Sequence, residues 1–294
     1  MELLQLEYFK AVADSGHVTE TAQRLNVTQS SVSRTIQRLE EDLGAKLFDR
    51  VGRSLRLNDF GRAFLLRVDK ALGELAQGRQ EIQDRTTVDH GFVKLAVNTA
   101  STLPGILGLF RKEHPRTQFH VSMVTTDEML QLLTRGAVDF GLCSSMVSEP
   151  GIHCQRVLLE PIVLAVPLGH RLSGQGPVNL VELQDEPFIG VKRGFGPREL
   201  TDALCQSAGF LPRHVFEGDE PARINSLVEA GIGIAFVPSA SRSTHDAIEY
   251  VAIADERFVR ELALLRPEGH YLSRAAAEFQ SVVLDYFSSA PNNS

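Results

Sequence analysis

Hydrophobic positions along the first third of the chain recur at helical spacing. Residues 3–14 put Leu6, Phe9 and Ala13 on one side of a helix, and residues 18–25, after the Ser15-Gly16 break, predict a short second one. Asn26-Val27 turns the chain, and Thr28 is a good N-cap for a third helix that runs to about Asp42 and stops at Gly44. In that helix Val32, Ile36, Leu39 and Leu43, at spacings of 4, 3 and 4, predict one buried stripe. The segment KLFDRVGRSLRLN (46–58) reads as two short strands about a Val51-Gly52-Arg53 turn. From Asp59 to about Arg85 the helical pattern is unusually long. Phe64, Val68, Ala71, Leu75, Gly78 and Ile82 follow heptad spacing, which predicts packing on a second copy; the alternative is a helix lying on its own domain.

After RTTVDHG (85–91) the texture changes to alternating strands and helices. Strands are expected at 93–97, 119–124, 138–143, 162–167, 187–191, 214–218, 232–238, 248–253 and 261–266. Helices are expected from about Thr102, over DEMLQLLTRG, and near 197–208, 220–230 and 271–288. This alternation predicts an α/β unit with a mainly parallel sheet, long enough for two lobes.

Composition removes some classes of function. No segment approaches the roughly 18 consecutive apolar residues of a membrane span. The opening MELLQLEYFKAVADSG has early acids where a signal peptide has a basic region, so a cytoplasmic location is expected. Cys143, Cys154 and Cys205 form no CxxC pair and are odd in number, which favours reduced thiols over a Cys143–Cys154 redox switch. Net charge is −7, but residues 24–67 hold nine Lys/Arg against five Asp/Glu, leaving −11 on the other 250 residues. A basic module on an acidic body is expected where only one part meets a polyanion.

That imbalance gives the third helix a partner. A face opposite its apolar stripe carries Ser30, Ser33, Arg34 and Gln37, with Gln29 at the start and Ser31 and Arg38 alongside. Two short helices joined by a tight turn let the second lie in a DNA major groove. There a glutamine pairs with adenine and an arginine with guanine, while serines permit close approach. Arg34 and Arg38 also lie where phosphates pass, and Arg50, Arg53 and Arg56 of the hairpin are placed for backbone or minor groove. Ala22 is small, as the crossing of the two helices requires. Double-stranded DNA is the expected partner; the alternative is the solvated face of a protein-interaction module.

Catalytic signatures are lacking. AGIGIAF (230–236) has a helix before it and a strand after it, the reverse of a dinucleotide loop, and GVKRGFG (190–196) lacks a P-loop ending. There is no HExxH or G-x-S-x-G, and the nine histidines have no ligand spacing. No catalytic residue, metal or cofactor is expected. A small-molecule site is better supported, because α/β folds bind ligands where strands end and helices begin. Asn98, Thr99, Ser101 and Thr102 follow the first strand, Ser144 and Ser145 follow VDFGLC, and Arg193 and Phe195 follow PFIGV. Asp219, at the start of a later helix, joins this set, although beside Glu220 it also reads as a helix N-terminus. Each of these residues has a plain reading as a cap or polar loop.

LEYFKAVADSG, TETAQRLNVTQSSVSRTIQRLEEDLGAKLFDR and LNDFG, then DEMLQLLTRGAVDFGL, VLLEPIVLAVPLGHRL, LVELQDEPFI, GFLPRHVFE and LVEAGIGIAFVP, resemble the LysR-type transcriptional regulators over essentially the entire chain. The resemblance implies a winged helix-turn-helix (1–58), a dimerising linker helix (59–89) and an effector-binding domain like periplasmic binding proteins (90–294). It further implies two lobes in that domain, about 90–162 plus 267–294 and about 163–266. Promoter DNA, a small effector, a homodimer or homotetramer and RNA polymerase are the implied partners. Carried over by position, Thr28, Gln29, Ser30, Ser31, Ser33, Arg34 and Arg38 serve the DNA contact, with Arg50 and Arg53 in the wing. Two departures stand out: Asn58 replaces a usual threonine, and the loop from Val97 to Pro104 is shorter than is common. The acidic body together with Lys192-Arg193 favours an anionic effector, a carboxylate above all. A solute-binding protein and an α/β enzyme with a helical interaction domain are the competing classes.

Overall fold

The computed structural model describes residues 1–52, 54–86, 91–99, 101–218, 223–242 and 247–289. It contains two compact units, Met1–Gln83 and Asp84–Ser294.

In the first unit, α1 (Leu3–Ser15), α2 (Val18–Arg24) and α3 (Gln29–Leu43) precede a hairpin of β1 (Phe48–Val51) and β2 (Ser54–Leu57), and α4 (Asp59–Thr86) follows. Phe9, Val12, Ala22, Val32, Ile36, Leu39, Leu47 and Val68 form its core. The α2–α3 turn uses Asn26 at φ +55, a left-handed conformation that asparagine tolerates. Thr28 Oγ1 accepts from Ser31 N, and Gly44 ends α3 in the left-handed region. Leu43 does not complete the buried stripe: it is exposed, and the interior position of that turn goes to Glu40. The Glu40 carboxylate accepts from Lys46 Nζ and Leu47 N, which ties the end of α3 to the hairpin. Asn58 caps α4, with Oδ1 accepting from Gly61 N at 2.9 Å.

Along α4 the predicted seam divides. Val68 is buried and Phe64, Leu65 and Leu72 pack on the unit's own core, whereas Leu75 and Ile82 are exposed. The near half of the helix therefore lies on its own domain. The far half keeps an uncovered apolar groove, lined by Leu75, Gly78 and Ile82.

The second unit is mixed rather than mainly parallel. β3 (Phe92–Val97) pairs parallel with β4 (Gln118–Met123) and β5 (Phe140–Cys143), and β7 (Pro187–Val191) with β8 (Arg213–Gly218). Antiparallel pairing enters through β6 (Ile152–Pro167) and β11 (Val259–Pro267), which lie side by side over most of β11. Strand β11 returns late in the chain and lies between β5 and β6, antiparallel to both, so β5 and β6 are not neighbours. Strand β6 serves two cores. Its first half pairs with β11; from Ile162 onward it pairs with β9 (Ala235–Pro238) and β10 (Ile248–Val251). Pro161, which has no N–H to donate, stands at the changeover.

One lobe packs α5 (Leu103–Glu113) and α9 (Arg274–Ser289) on β3, β5 and β11 through Phe110, Phe140 and Phe279, with α6 (Thr126–Thr134) on the other face through Met129 and Leu133. The second lobe packs α7 (Arg198–Ser207) and α8 (Ile224–Glu229) around β6, β7, β9 and β10 through Phe188, Val163 and Ile234. The two crossing strands join the lobes beside the Glu160–Arg260 pair of the ladder.

Candidate DNA interface and effector cleft

The face of α3 opposite its core stripe is open. Thr28, Gln29, Ser30, Ser31, Ser33, Arg34 and Arg38 are all exposed, as is Arg50 on β1. Val32, Ile36 and Leu39 fix the rotation of the helix, so these polar side chains share the outward side. Among the described residues Arg34, Arg38 and Arg50 have no carboxylate partner; Gln37, by contrast, donates to Glu41 at 2.8 Å. Unpaired arginines beside small hydroxyl residues suit phosphates and base edges. The wing is held to the helices by Leu55 N donating to Gly16 O at 2.8 Å. Arg53 lies outside the described residues.

The second unit has a cavity of about 300 Å³ that draws on both lobes. Thr99, Ser101 and Pro104 line it from one lobe; Phe188, Gly190, Arg198, His214, Asn225 and Phe236 are among those from the other. A neighbouring void of about 480 Å³ is lined by Thr125, Thr126, Ser144, Ser145, Arg193 and Gly194, and shares Gly196 and Pro197 with the first.

Beside these voids lies a buried polar cluster centred on Arg260. The Arg260 side chain is wholly buried, and Glu160 is 3% exposed. Arg260 Nε donates to Glu160 Oε2 at 2.8 Å, NH1 to Thr99 Oγ1 at 2.9 Å and Ser144 Oγ at 3.4 Å, and NH2 to Ser101 Oγ at 2.9 Å. The other Glu160 oxygen accepts from Ser239 Oγ and Ala240 N. Burial pulls the guanidinium pKa below its usual value, while the Glu160 carboxylate acts in the opposite direction. The pair thus ties the loop after β3 to the segment after β9, one on each side of the cleft.

The candidate effector residues fall into distinct places. Thr99 and Ser101 face the 300 Å³ cavity, and Ser144, Ser145 and Arg193 face its neighbour. Asn98 is buried as a brace: Oδ1 accepts from Ser144 N at 2.9 Å and Nδ2 donates to Thr126 Oγ1 at 3.0 Å. Thr102 and Phe195 are buried and line neither void. Asp219 lies outside the described residues. All three cysteines are free. Burial pushes the Cys205 thiol up to about 12 and raises that of Cys154.

Arg198 forms the other charged cluster. Nε donates to Asp202 Oδ2, NH1 to Val191 O and NH2 to Glu217 Oε1, each at 2.7 Å. Burial opposes its charge, but the two carboxylates outweigh it and hold the pKa above the usual value. Burial likewise opposes the Asp202 charge, yet hydrogen bonds from His214 and Arg198 keep that carboxyl below its usual range.

A helix-turn-helix unit followed by an α/β binding domain is also what comparison with known proteins finds. The family model for "Bacterial regulatory helix-turn-helix protein, lysR family" matches residues 3–62, and that for "LysR substrate binding domain" matches residues 89–288. The chain belongs to the LysR family. Its members are DNA-binding transcriptional regulators with an effector-binding domain. The HTH-type transcriptional regulator YybE of Bacillus subtilis is 34% identical over 98% of this chain and 100% of its own length. The transcriptional dual regulator GltC of the same organism is 30% identical over 98% of each chain. Among solved structures, full-length CbnR in complex with its target DNA is similar with a TM-score of 0.67 at 25% identity, over 96% of this chain and 99% of that one. Among the described residues, no helix is long and apolar enough to cross a membrane.

The signal for Arg260 was in the sequence. In VRELALL it alternates with Leu262 and Leu264, so an arginine occupies an inward strand position. Glu160, beside the apolar run PIVLAV, faces it directly. Their pairing, 100 residues apart, is not visible in any local period.

Proposed function

We propose that this LysR-family regulator binds promoter DNA through α3 and the wing and that a small anionic effector in the interlobe cleft modulates that binding. Residues 1–58 form the DNA-binding domain, 59–89 the linker and dimerising helix, and 90–294 the effector domain with lobes at about 90–162 plus 267–294 and about 163–266. Thr28, Gln29, Ser30, Ser31, Ser33, Arg34, Arg38, Arg50 and Arg53 carry the DNA contact. Thr99, Ser101, Ser145 and Arg193 meet the effector, with Asn98, Thr102, Ser144 and Phe195 shaping the loops behind them. The protein acts in the cytoplasm as a homodimer or homotetramer, with RNA polymerase as a further partner and no catalytic step of its own.

The observation that carries this reading is the cavity lined from both lobes, by Thr99 and Ser101 on one side and Phe188, Arg198 and Phe236 on the other, with Arg260 bonded to the two hydroxyls and to Glu160. A ligand touching both walls binds one lobe arrangement better than another, which is what a response to effector requires. Arg193, largely exposed and 3.9 Å from Asp202, lines the neighbouring void.

A gel shift with the protein's own upstream DNA, repeated with a panel of carboxylate metabolites, tests it. A retarded complex whose mobility or affinity changes with one carboxylate is expected. No retention of that DNA removes the regulator reading, and a response only to neutral or cationic compounds removes the anionic effector.

A further inference from the structure

The loop between β7 and α7, residues 192–197, belongs to the second lobe but is hydrogen-bonded to the first. We infer that it is a clasp that holds the two lobes closed when no effector is bound and divides the space between them into its two voids.

The first lobe supplies two backbone attachment points. Thr126 is the first residue of α6, and the first N–H groups of a helix have no acceptor within it. Its N–H donates instead to Gly194 O of the other lobe, at 3.2 Å. Asn98 directly follows β3, and its carbonyl accepts from Gly196 N at 3.1 Å. The two points are tied to each other, because Asn98 Nδ2 donates to Thr126 Oγ1 at 3.0 Å. A ring therefore closes across the cleft, from Asn98 to Gly196, along the chain to Gly194, over to Thr126 and back to Asn98. Each such bond is modest in net terms, so the closure is reversible.

The loop is shaped for this reach. On its own lobe Lys192 N donates to Gly218 O at 2.8 Å and Gly194 N to Glu199 Oε1 at 2.6 Å, while Phe195 is buried. Gly194 and Gly196 have φ of +85 and +56, left-handed values that glycine adopts without a steric cost. Space also demands glycine at 194: a Cβ there would lie 3.0 Å from Thr125 Cβ and Cγ2. Gly196 and Pro197 line both the 300 Å³ cavity and the 480 Å³ void, so the clasp is the partition between them. Opening it joins the two, and that motion admits a ligand reaching from one into the other. The closed state belongs to the chain itself and stands whether or not either void is the effector site.

The test is hydrogen–deuterium exchange of the full-length protein without added ligand, resolved to single amides. Thr126→Pro removes the cross-lobe donor yet suits the helix. Proline is favoured at the first helical position, and Thr125, at φ −68 and ψ 164, has the extended backbone that precedes proline. Thr126→Ala removes the hydroxyl and keeps the N–H. The Gly196 amide, on the other arm of the clasp, should exchange about threefold faster or more in Thr126→Pro than in Thr126→Ala. The amides of Met129 in α6 and of Lys192 should keep their protection. Gly194→Ala, which sets a Cβ against Thr125 without altering the helix, should expose the Thr126 and Gly196 amides together. A Gly196 amide that exchanges in the wild type as fast as an unbonded one overturns the clasp, as does equal Gly196 exchange in Thr126→Pro and Thr126→Ala. Should Thr126→Pro cost α6 its own protection, Gly194→Ala decides alone, and a Thr126 amide still protected there overturns the clasp.

Discussion

Arg260 and Glu160 face each other across the β11–β6 ladder, NH2 to Oε2 at 2.7 Å, with the arginine fully buried. Both stand where the two strands part toward different lobes. A buried ion pair contributes little net stability, but removing one member strands the other charge, at about 3–5 kcal/mol. Arg260→Met is expected to cost about that much, and Arg260→Met combined with Glu160→Met clearly less. Chemical denaturation of the three proteins measures it. A double variant less stable than either single one would mean that Thr99, Ser101 and Ala240 depend on the charges more than the charges depend on each other.

The second charged cluster makes a statement about pH. Asp202 and Glu217 have carboxyls held below their usual values, Asp202 by His214 and Arg198 against the cost of burial and Glu217 by Arg198. A depressed folded-state pKa gives stability that is present above the unfolded value, about 4, and lost as pH falls through the folded one. The melting temperature should therefore be flat in this respect above about pH 5 and fall below about pH 4. Asp202→Asn should lower stability at pH 7 and shrink that acid-side fall. Parallel melting curves for wild type and variant across the range would exclude the cluster as a source of acid sensitivity.

Leu75 and Ile82, 57% and 66% exposed on the far half of α4, belong to the heptad seam that the first unit leaves uncovered. A copy of the same helix is the natural cover for such a stripe. Residues 1–90 are expected to sediment as a dimer, and Leu75→Asp with Ile82→Asp as a monomer. Sedimentation velocity on both decides it, and a wild-type fragment that stays monomeric at tens of micromolar would refute pairing through this seam.

Much of this architecture was legible because it is set by local chemistry. The Val32–Ile36–Leu39 stripe, the Thr28 cap, the Gly44 stop and the Asn58 cap each follow from a few adjacent residues, and each occurs in the fold. Leu43 misled because the hairpin draws Glu40 inward at the end of α3 and leaves the leucine outside. The mainly parallel sheet failed for a related reason. Strand–helix alternation predicts parallel neighbours, but β11 comes back from late in the chain and inserts between β5 and β6, antiparallel to both. For the effector site, position after a strand located Thr99, Ser101, Ser145 and Arg193 at the voids. It could not find Arg260 or Glu160, whose pairing depends on which distant strands meet.

The α3 face yields the most direct functional prediction. Gln29 and Arg34 are exposed on the first turns of the helix, fixed by the core residues Val32 and Ile36 between and beyond them. If they read base edges, Gln29→Ala and Arg34→Ala should each weaken binding to the operator by about 1–3 kcal/mol and relax base preference at one position per half-site. Arg50 is exposed on the hairpin, and a phosphate contact there has a different signature. Arg50→Ala should weaken binding to all duplexes alike and lower the slope of log K against log salt by about 1. Fluorescence anisotropy with operator and scrambled duplexes, at three salt concentrations, separates the two behaviours. If Arg34→Ala lost affinity equally on both duplexes, Arg34 would be a phosphate contact and base reading would fall to Gln29 and the serines.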